Sequence, residues 1–288
     1  MTDHVLKYLC PKPGGLYLDV TFGVGGHTRA LLDHDPTCRV IALDWDRYAV
    51  ETYGPPLKEE YGDRFKVIWG NFGLLYKVLK KEGITGVDGI LADFGTSQVQ
   101  IQRLPGFSFS RDTFLDMRMS PAHQLMTAAE VIAKSSEQKL LEIFSQLGGE
   151  QKAKAIAHAI VKERTKKHIK TTQQLVDIVH KIVPPHVRRI HSATKVFQAL
   201  RLYVNHELNN ISSFLPAAVR ALKPEGVLVC ISFHSLEDRL VKQFFKEQES
   251  LGVLEVLTPR VEVPTQEEVD RNPSSRSAKL RAAAKKNT

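Results

Sequence analysis

The sequence predicts an α/β protein built on a mostly parallel sheet, with an all-helical subdomain inserted into it. Three observations carry this. Short β-prone runs recur at Leu16–Val20, Val40–Asp44, Phe65–Trp69, Gly89–Asp93 and Val227–Phe233, separated by helical or loop stretches. The first run leads into a glycine-dense turn, Gly23-Val24-Gly25-Gly26-His27, and the second ends on Asp44. Between the fourth and fifth runs, residues 94–226 show apolar residues at three- and four-residue spacing rather than alternation.

Taken in order, the run at Leu16–Val20 is a buried strand, and Thr28 to Leu32 begins the helix that returns the chain to the sheet. The strands at Val40–Asp44, Phe65–Trp69 and Gly89–Asp93 continue right-handed β-α-β units. The inserted helices are expected at Ala128–Ile132, Glu137–Leu147, Lys152–Arg164 and Thr172–Val183. In the third, Lys152, Ala155, Ile156, Ala159 and Ile160 trace one face. Thr171 or Thr172 is the N-cap of the fourth, and Pro184-Pro185 stops it. A further helix from Ala193 to Leu222 leads to the strand Val227–Phe233, and Val253–Val263 forms a small hairpin around Pro259. The basic tail beyond Asn272 is expected to be mobile without a partner.

Composition narrows the function. No apolar run reaches the ~20 residues needed to span a bilayer, and the start of the chain lacks the pattern of a signal peptide. Cys10, Cys38 and Cys230 are scattered, which predicts no disulfide framework, no metal site and a reducing cytoplasm. The net charge of +8 is unevenly placed. Lys134 to Arg201 holds 14 basic and 5 acidic residues, and Arg271 to Thr288 holds 6 basic and none acidic. The rest of the chain is acidic. Concentrated positive charge of this kind suits a phosphate-backbone partner, with solvated helix faces the plainer alternative. His158, His168, His180, His186 and His191 in that segment have no ligand-like spacing.

In an open α/β sheet, ligands bind beyond the carboxyl ends of the strands. The loop Gly23 to His27 would lie along a cofactor, and Asp44 would accept hydrogen bonds from ribose hydroxyls. Thr28 stands where the third glycine of a dinucleotide fingerprint belongs, which weighs against an oxidoreductase. Trp45 and Phe72, at two strand ends, either sandwich an adenine or pack in the core. Asp93, ahead of Gly95-Thr96-Ser97, suits a junction between donor and acceptor. Ser235 with Asp238 resembles a helix cap, and His234 beside them is a candidate site residue. Phe107 and Phe109 either stack on a displaced base or anchor the insert to the body.

These residues resemble the RsmH/MraW methyltransferase family over nearly the whole chain. The resemblance rests on Asp19-Val20-Thr21-Phe22-Gly23-Val24-Gly25-Gly26-His27, on Asp93-Phe94-Gly95-Thr96-Ser97 with Gln100, and on Gly106-Phe107-Ser108-Phe109. It continues through Leu115-Asp116-Met117-Arg118-Met119, Phe197-Gln198-Ala199-Leu200-Arg201, Ser232-Phe233-His234-Ser235-Leu236-Glu237-Asp238-Arg239, and Asn272-Pro273 with Arg276 to Arg281. It implies a class I methyltransferase (Rossmann-like) body, residues 1–104 and 197–288, with a helical substrate-binding insert at 105–196. It implies S-adenosylmethionine as cofactor, lined by Gly25, Gly26, His27, Asp44, Phe72, Asp93 and Gln100. The acceptor it implies is the N4 amine of a cytidine in the decoding region of small-subunit (16S) rRNA. Asp93 is then the candidate catalytic residue, and Phe107, Phe109, Arg201 and His234 the candidate substrate-binding residues. The implied partner is the small ribosomal subunit, with no membrane and no metal and with a homodimer left open. A non-catalytic RNA-binding assembly factor is the rival. The family's opening His-x-Pro-Val-Leu segment is not in this chain, Gly95-Thr96-Ser97-Gln98-Val99-Gln100 departs from its usual Gly-Val-Ser-Ser-Pro-Gln, and Pro105 and Ser120 replace an arginine and an aspartate.

Overall fold

A computed structural model describes residues 1–184 and 191–287 of the 288-residue chain. Two compact units form, Met1–Gly95 with Leu208–Thr288, and Thr96–Glu207.

The first unit is a seven-stranded sheet. Its strands are β1 (Leu16–Asp19), β2 (Arg39–Asp44), β3 (Phe65–Trp69), β4 (Val87–Asp93), β5 (Leu222–Ser232), β6 (Leu254–Val256) and β7 (Lys279–Lys285), in the order β3-β2-β1-β4-β5-β7-β6. The first five strands pair in parallel, and β7 runs antiparallel to both β5 and β6. This is the class I methyltransferase arrangement. Parallel strands covered on both faces must be apolar throughout, and successive residues divide between two cores. Tyr17, Ala42 and Leu91 join Leu31, Leu32 and Leu57 on one face. Leu18, Leu43 and Ile90 join Phe214, Val241 and Phe245 on the other. A register shift between Val87 and Gly89 accommodates the early start of β5, where Glu225 takes a positive φ of 64°.

The end of the chain departs from the sequence-based expectation. The stretch beyond Asn272 is not a mobile tail: it supplies β7, which lies inside the sheet with Leu280, Ala282 and Ala283 fully buried. Its positive charge is partly used internally, since Arg281 Nε donates to Asp238 Oδ1 at 2.7 Å and Lys279 lies 3.7 Å from Asp238 Oδ2. Residues 253–263 form no hairpin about Pro259; β6 pairs with β7 instead, and Glu262 makes an isolated bridge to Leu280.

The second unit is helical. Helices Ala128–Lys134, Glu137–Glu142, Ala153–Arg164, Thr172–Ile182 and Thr194–Val204 surround a core that includes Ile132, Phe144, Ile156, Ile160, Leu175 and Leu200. Local signals start them: Thr127 with Glu130, and Thr171 with Gln174, form reciprocal capping boxes. The helix Ala153–Arg164 buries Ala153, Ile156, Ala157 and Ile160, so the face lies slightly aside from the one traced through Ala155, which is exposed. Helix Thr172–Ile182 ends before Pro184; Pro185 and His186 lie outside the described residues. The single helix expected from Ala193 to Leu222 is two, Thr194–Val204 and Glu207–Ala221. Asn205 breaks it. Its Nδ2 donates to Arg201 O at 2.9 Å and to Met117 O at 2.7 Å, its Oδ1 accepts from Met119 N at 2.8 Å, and His206 follows with a φ of 50°.

Candidate functional site

The first unit gathers its polar residues at the carboxyl ends of the parallel strands. β1 ends on Asp19, which is fully buried. Its Oδ2 accepts from Thr28 Oγ1 at 2.7 Å and its Oδ1 from Thr21 N at 3.2 Å. Burial pushes the Asp19 carboxyl above its ordinary range, against the pull of His27 and Thr28. Thr21 Oγ1 in turn accepts from Asp93 N at 2.7 Å, and Gly23 N donates to Asp44 Oδ2 at 2.8 Å. The glycine loop is therefore tied to the ends of β4 and β2. Thr28, noticed in the sequence for the glycine it replaces, anchors the loop through Asp19. Asp19, Thr21 and Thr28 are site residues that the sequence reading missed. The available signal was a carboxylate closing an otherwise apolar strand.

Gly25 has a φ of 83°, where a Cβ would stand 2.9 Å from Phe22 Cε2 and 3.0 Å from Leu57 Cδ2. Gly25 thus serves the turn itself. Gly26 opens the helix Gly26–His34, and a Cβ there would meet nothing within 4 Å. One glycine fits the backbone, and the other leaves open space above it.

Asp44 is buried, and both carboxylate oxygens accept backbone N–H groups, Oδ1 from Asp46 N at 2.8 Å and Oδ2 from Gly23 N. Burial pushes its pKa up to about 6, with the two backbone donors opposing. His27 Nε2 lies 3.6 Å from Asp93 Oδ2. Burial pulls the imidazole down, but Asp93 and Asp19 outweigh it and hold His27 above its ordinary value. His27 Nδ1 and Asp93 Oδ1 are buried and have no hydrogen-bond partner among the described residues. Unspent polar atoms beside open space are what a polar ligand would satisfy.

Trp45 is buried, so of its two readings packing prevails, while Phe72 is half-buried with its ring against Phe94 at 5.7 Å and Phe214 at 5.6 Å. His234 caps the helix Ser235–Ser250. Its Nδ1 accepts from Glu237 N at 3.4 Å and Glu237 Oε2 accepts from His234 N at 3.3 Å. The cap is His234 with Glu237, not Ser235 with Asp238.

Gly25, Gly26, His27, Asp44, Phe72, Asp93 and His234 thus share the first unit. Gln100, Phe107, Phe109 and Arg201 belong to the second. Gln100 Oε1 accepts from Ser97 N in a capping box. Phe107 and Phe109 pack on the helical core, with Phe109 stacked on His191 at 4.3 Å. Arg201 grips Glu207 through two bonds of 2.9 and 3.1 Å and donates to Thr96 Oγ1 at 3.2 Å. The loop between them holds Met117 at a φ of 64° and pairs Arg118 with Asp116 at 2.6 Å.

Comparison with known proteins extends this picture. The model of the MraW methylase family matches residues 1–286. The chain is 43% identical over 282 residues to ribosomal RNA small subunit methyltransferase H of Sulfurihydrogenibium azorense, covering 97% of this chain and 96% of that one. The protein of the same description from Desulfotalea psychrophila is 43% identical over 289 residues, covering 99% and 96%. That from Carboxydothermus hydrogenoformans is 41% identical over 302 residues, again covering 99% and 96%.

Proposed function

Because this chain belongs to the MraW methylase family, we propose that it moves a methyl group from S-adenosylmethionine to N4 of a cytidine in small-subunit rRNA. The observation that supports this reading best is the pair of buried polar atoms without a hydrogen-bond partner among the described residues, Asp93 Oδ1 at the end of β4 and His27 Nδ1 on the helix after the glycine loop. The cofactor supplies a methyl group activated by a sulfonium centre. The residues that would hold it are Gly25, Gly26, His27, Asp44, Phe72 and Asp93.

Asp44 is suited to ribose hydroxyls. Two backbone donors fix its carboxylate, and each oxygen keeps a further lone pair to accept with. Asp93 is suited to the acceptor. The lone pair of a cytosine amine is delocalised into the ring, so the amine must be oriented before it can attack. A carboxylate oxygen accepting from the amine hydrogens does this, and Asp93 Oδ1 is available. Orientation of this kind can remove several kcal/mol of the barrier. Methylation at carbon 5 would need a thiolate nucleophile. Cys230 is buried within β5 and burial raises its thiol pKa, Cys38 is buried near the start of β2, and Cys10 caps the first helix. None stands where Asp44 and Asp93 stand. Among the described residues no helix is long and apolar enough to cross a membrane, and we place the protein with its rRNA substrate in the cytoplasm.

The test is transfer of labelled methyl to small subunits lacking the modification, followed by nucleoside digestion and mass spectrometry. N4-methylcytidine is the expected product. A different methylated nucleoside would overturn the acceptor, and cofactor binding without any product would favour an assembly factor.

A further inference from the structure

The helical unit carries a groove that the methyl-transfer reading does not use. It is a cavity of about 430 Å³ between the helix Ala128–Lys134 and the loop Thr165–Lys170. Its floor is apolar, formed in part by Ile132, Ala133 and Ile169. On its edge stands Phe114, 47% exposed. The backbone around that ring is pinned: Leu115 N donates to Lys170 O at 2.8 Å, Thr172 N to Thr113 O at 2.9 Å, and Phe114 bridges Thr171. A large ring held in place yet left half in water is a stacking platform rather than a core residue.

Basic groups outnumber acids around the groove. Arg164 is built into the wall, where its Nη1 donates to Ile132 O at 2.5 Å and Ser135 O at 2.7 Å. His168 and Lys170 line the groove and Lys167 precedes them on the same loop; all three are exposed, and none of their side chains meets a carboxylate among the described residues. Lys166 lies 3.8 Å from Glu163. The one acid on the rim among the described residues, Glu130, is paired with Lys134 at 2.9 Å and accepts from Thr127 N in the cap at 3.0 Å. An aromatic face and an apolar floor under unneutralised cations match a nucleobase with its phosphates.

We propose that this groove holds an unpaired nucleotide of the rRNA, its base on Phe114 and its flanking phosphates on Lys167 and Lys170. The proposal rests on the reading of the chain as an rRNA methyltransferase and assigns part of its substrate affinity to a surface outside the strand-end site.

The test compares full-length wild type with Lys167→Glu/Lys170→Glu, Phe114→Ala and Phe114→Trp, and with Lys242→Glu/Lys246→Glu as a control for net charge. Binding to deproteinised small-subunit rRNA is measured across salt, with methyl transfer to modification-deficient subunits and S-adenosylmethionine affinity measured alongside. The double reversal should raise KM at least tenfold and flatten the salt slope by about 1.4, two contacts at roughly 0.7 each. Phe114→Ala should weaken rRNA binding about tenfold with the slope unchanged, and Phe114→Trp should restore it. Cofactor affinity, kcat and melting temperature should hold in all of them, and the control pair should behave as wild type. An unchanged KM and slope in the double reversal overturns the proposal. So does a defect seen with assembled subunits but not with free rRNA, which would assign the groove to an acidic protein segment. A wild type that binds rRNA through this groove yet makes no N4-methylcytidine would uphold the groove and sink the methyl-transfer reading.

Discussion

His27 Nε2 and Asp93 Oδ2 face one another across 3.6 Å, joining the helix after the glycine loop to the end of β4. The pair sets a pH dependence. The folded pKa of His27 lies above its unfolded value of about 6.5. Its stabilisation is therefore complete below about pH 6.5 and is lost as pH rises through the folded pKa. Denaturant melts at successive pH values should show stability falling across that window. His27→Asn should abolish the slope; a variant retaining it would mean that another group titrates.

Asp93 is predicted to act on rate. Asp93→Ala should lower kcat about a hundredfold, the usual scale for losing a positioned acid–base or orienting group. A full-speed Asp93→Ala enzyme would remove the orienting role.

Asp44 titrates with the opposite consequence. Its folded pKa, about 6, lies above the unfolded carboxylate value. The native state thus holds the extra proton between about pH 4 and 6, and the free protein loses stability as pH rises through that window. Ribose hydroxyls need the ionised form, so S-adenosylmethionine affinity should fall about tenfold from pH 7 to pH 5. Asp44→Asn should bind roughly ten- to a hundredfold more weakly at pH 8, with no pH dependence. Calorimetric titration of both proteins decides it, and a pH-dependent Asp44→Asn would refute the assignment.

The two glycines of the loop should respond differently to alanine. Gly25→Ala forces a positive φ and a contact of 2.9 Å with Phe22, and should destabilise the protein by about 1–2 kcal/mol. Gly26→Ala enters open space at a helix start and should leave the melting temperature unchanged or slightly raised. Its cost should appear in S-adenosylmethionine affinity instead. Equal thermal losses in the two variants would contradict this division.

The legible parts of the molecule were those whose signal is local. β1 to β4 show themselves as apolar runs, and the glycine loop shows itself by residue type. The cap at Thr171 lies within three residues of its partner. What was hidden depends on distant partners. β7 reads as a solvated tail, because Ala282-Ala283-Ala284-Lys285-Lys286 lacks β-branched residues and Arg281 finds Asp238 only through the fold. Asn205 gives no sign of breaking a helix until Met117 and Met119 are beside it. The His234 cap was missed because an imidazole there does what a serine usually does. In the candidate site, the carboxylates were visible by spacing, whereas the Asp19–Thr28 bond needed the loop to close first.

The position of β7 also sets a timetable. The helical unit is one continuous stretch, so every partner in it has been synthesised once Glu207 is complete. The sheet cannot close then, because the gap between β5 and β6 is filled by residues 279–285, which follow both strands in the chain. Until they emerge, β5 presents an unpaired edge, the feature through which half-made sheets stick to one another. A chain cut ahead of Lys279 should thus have its helices formed and its sheet left for chaperones and proteases to recognise.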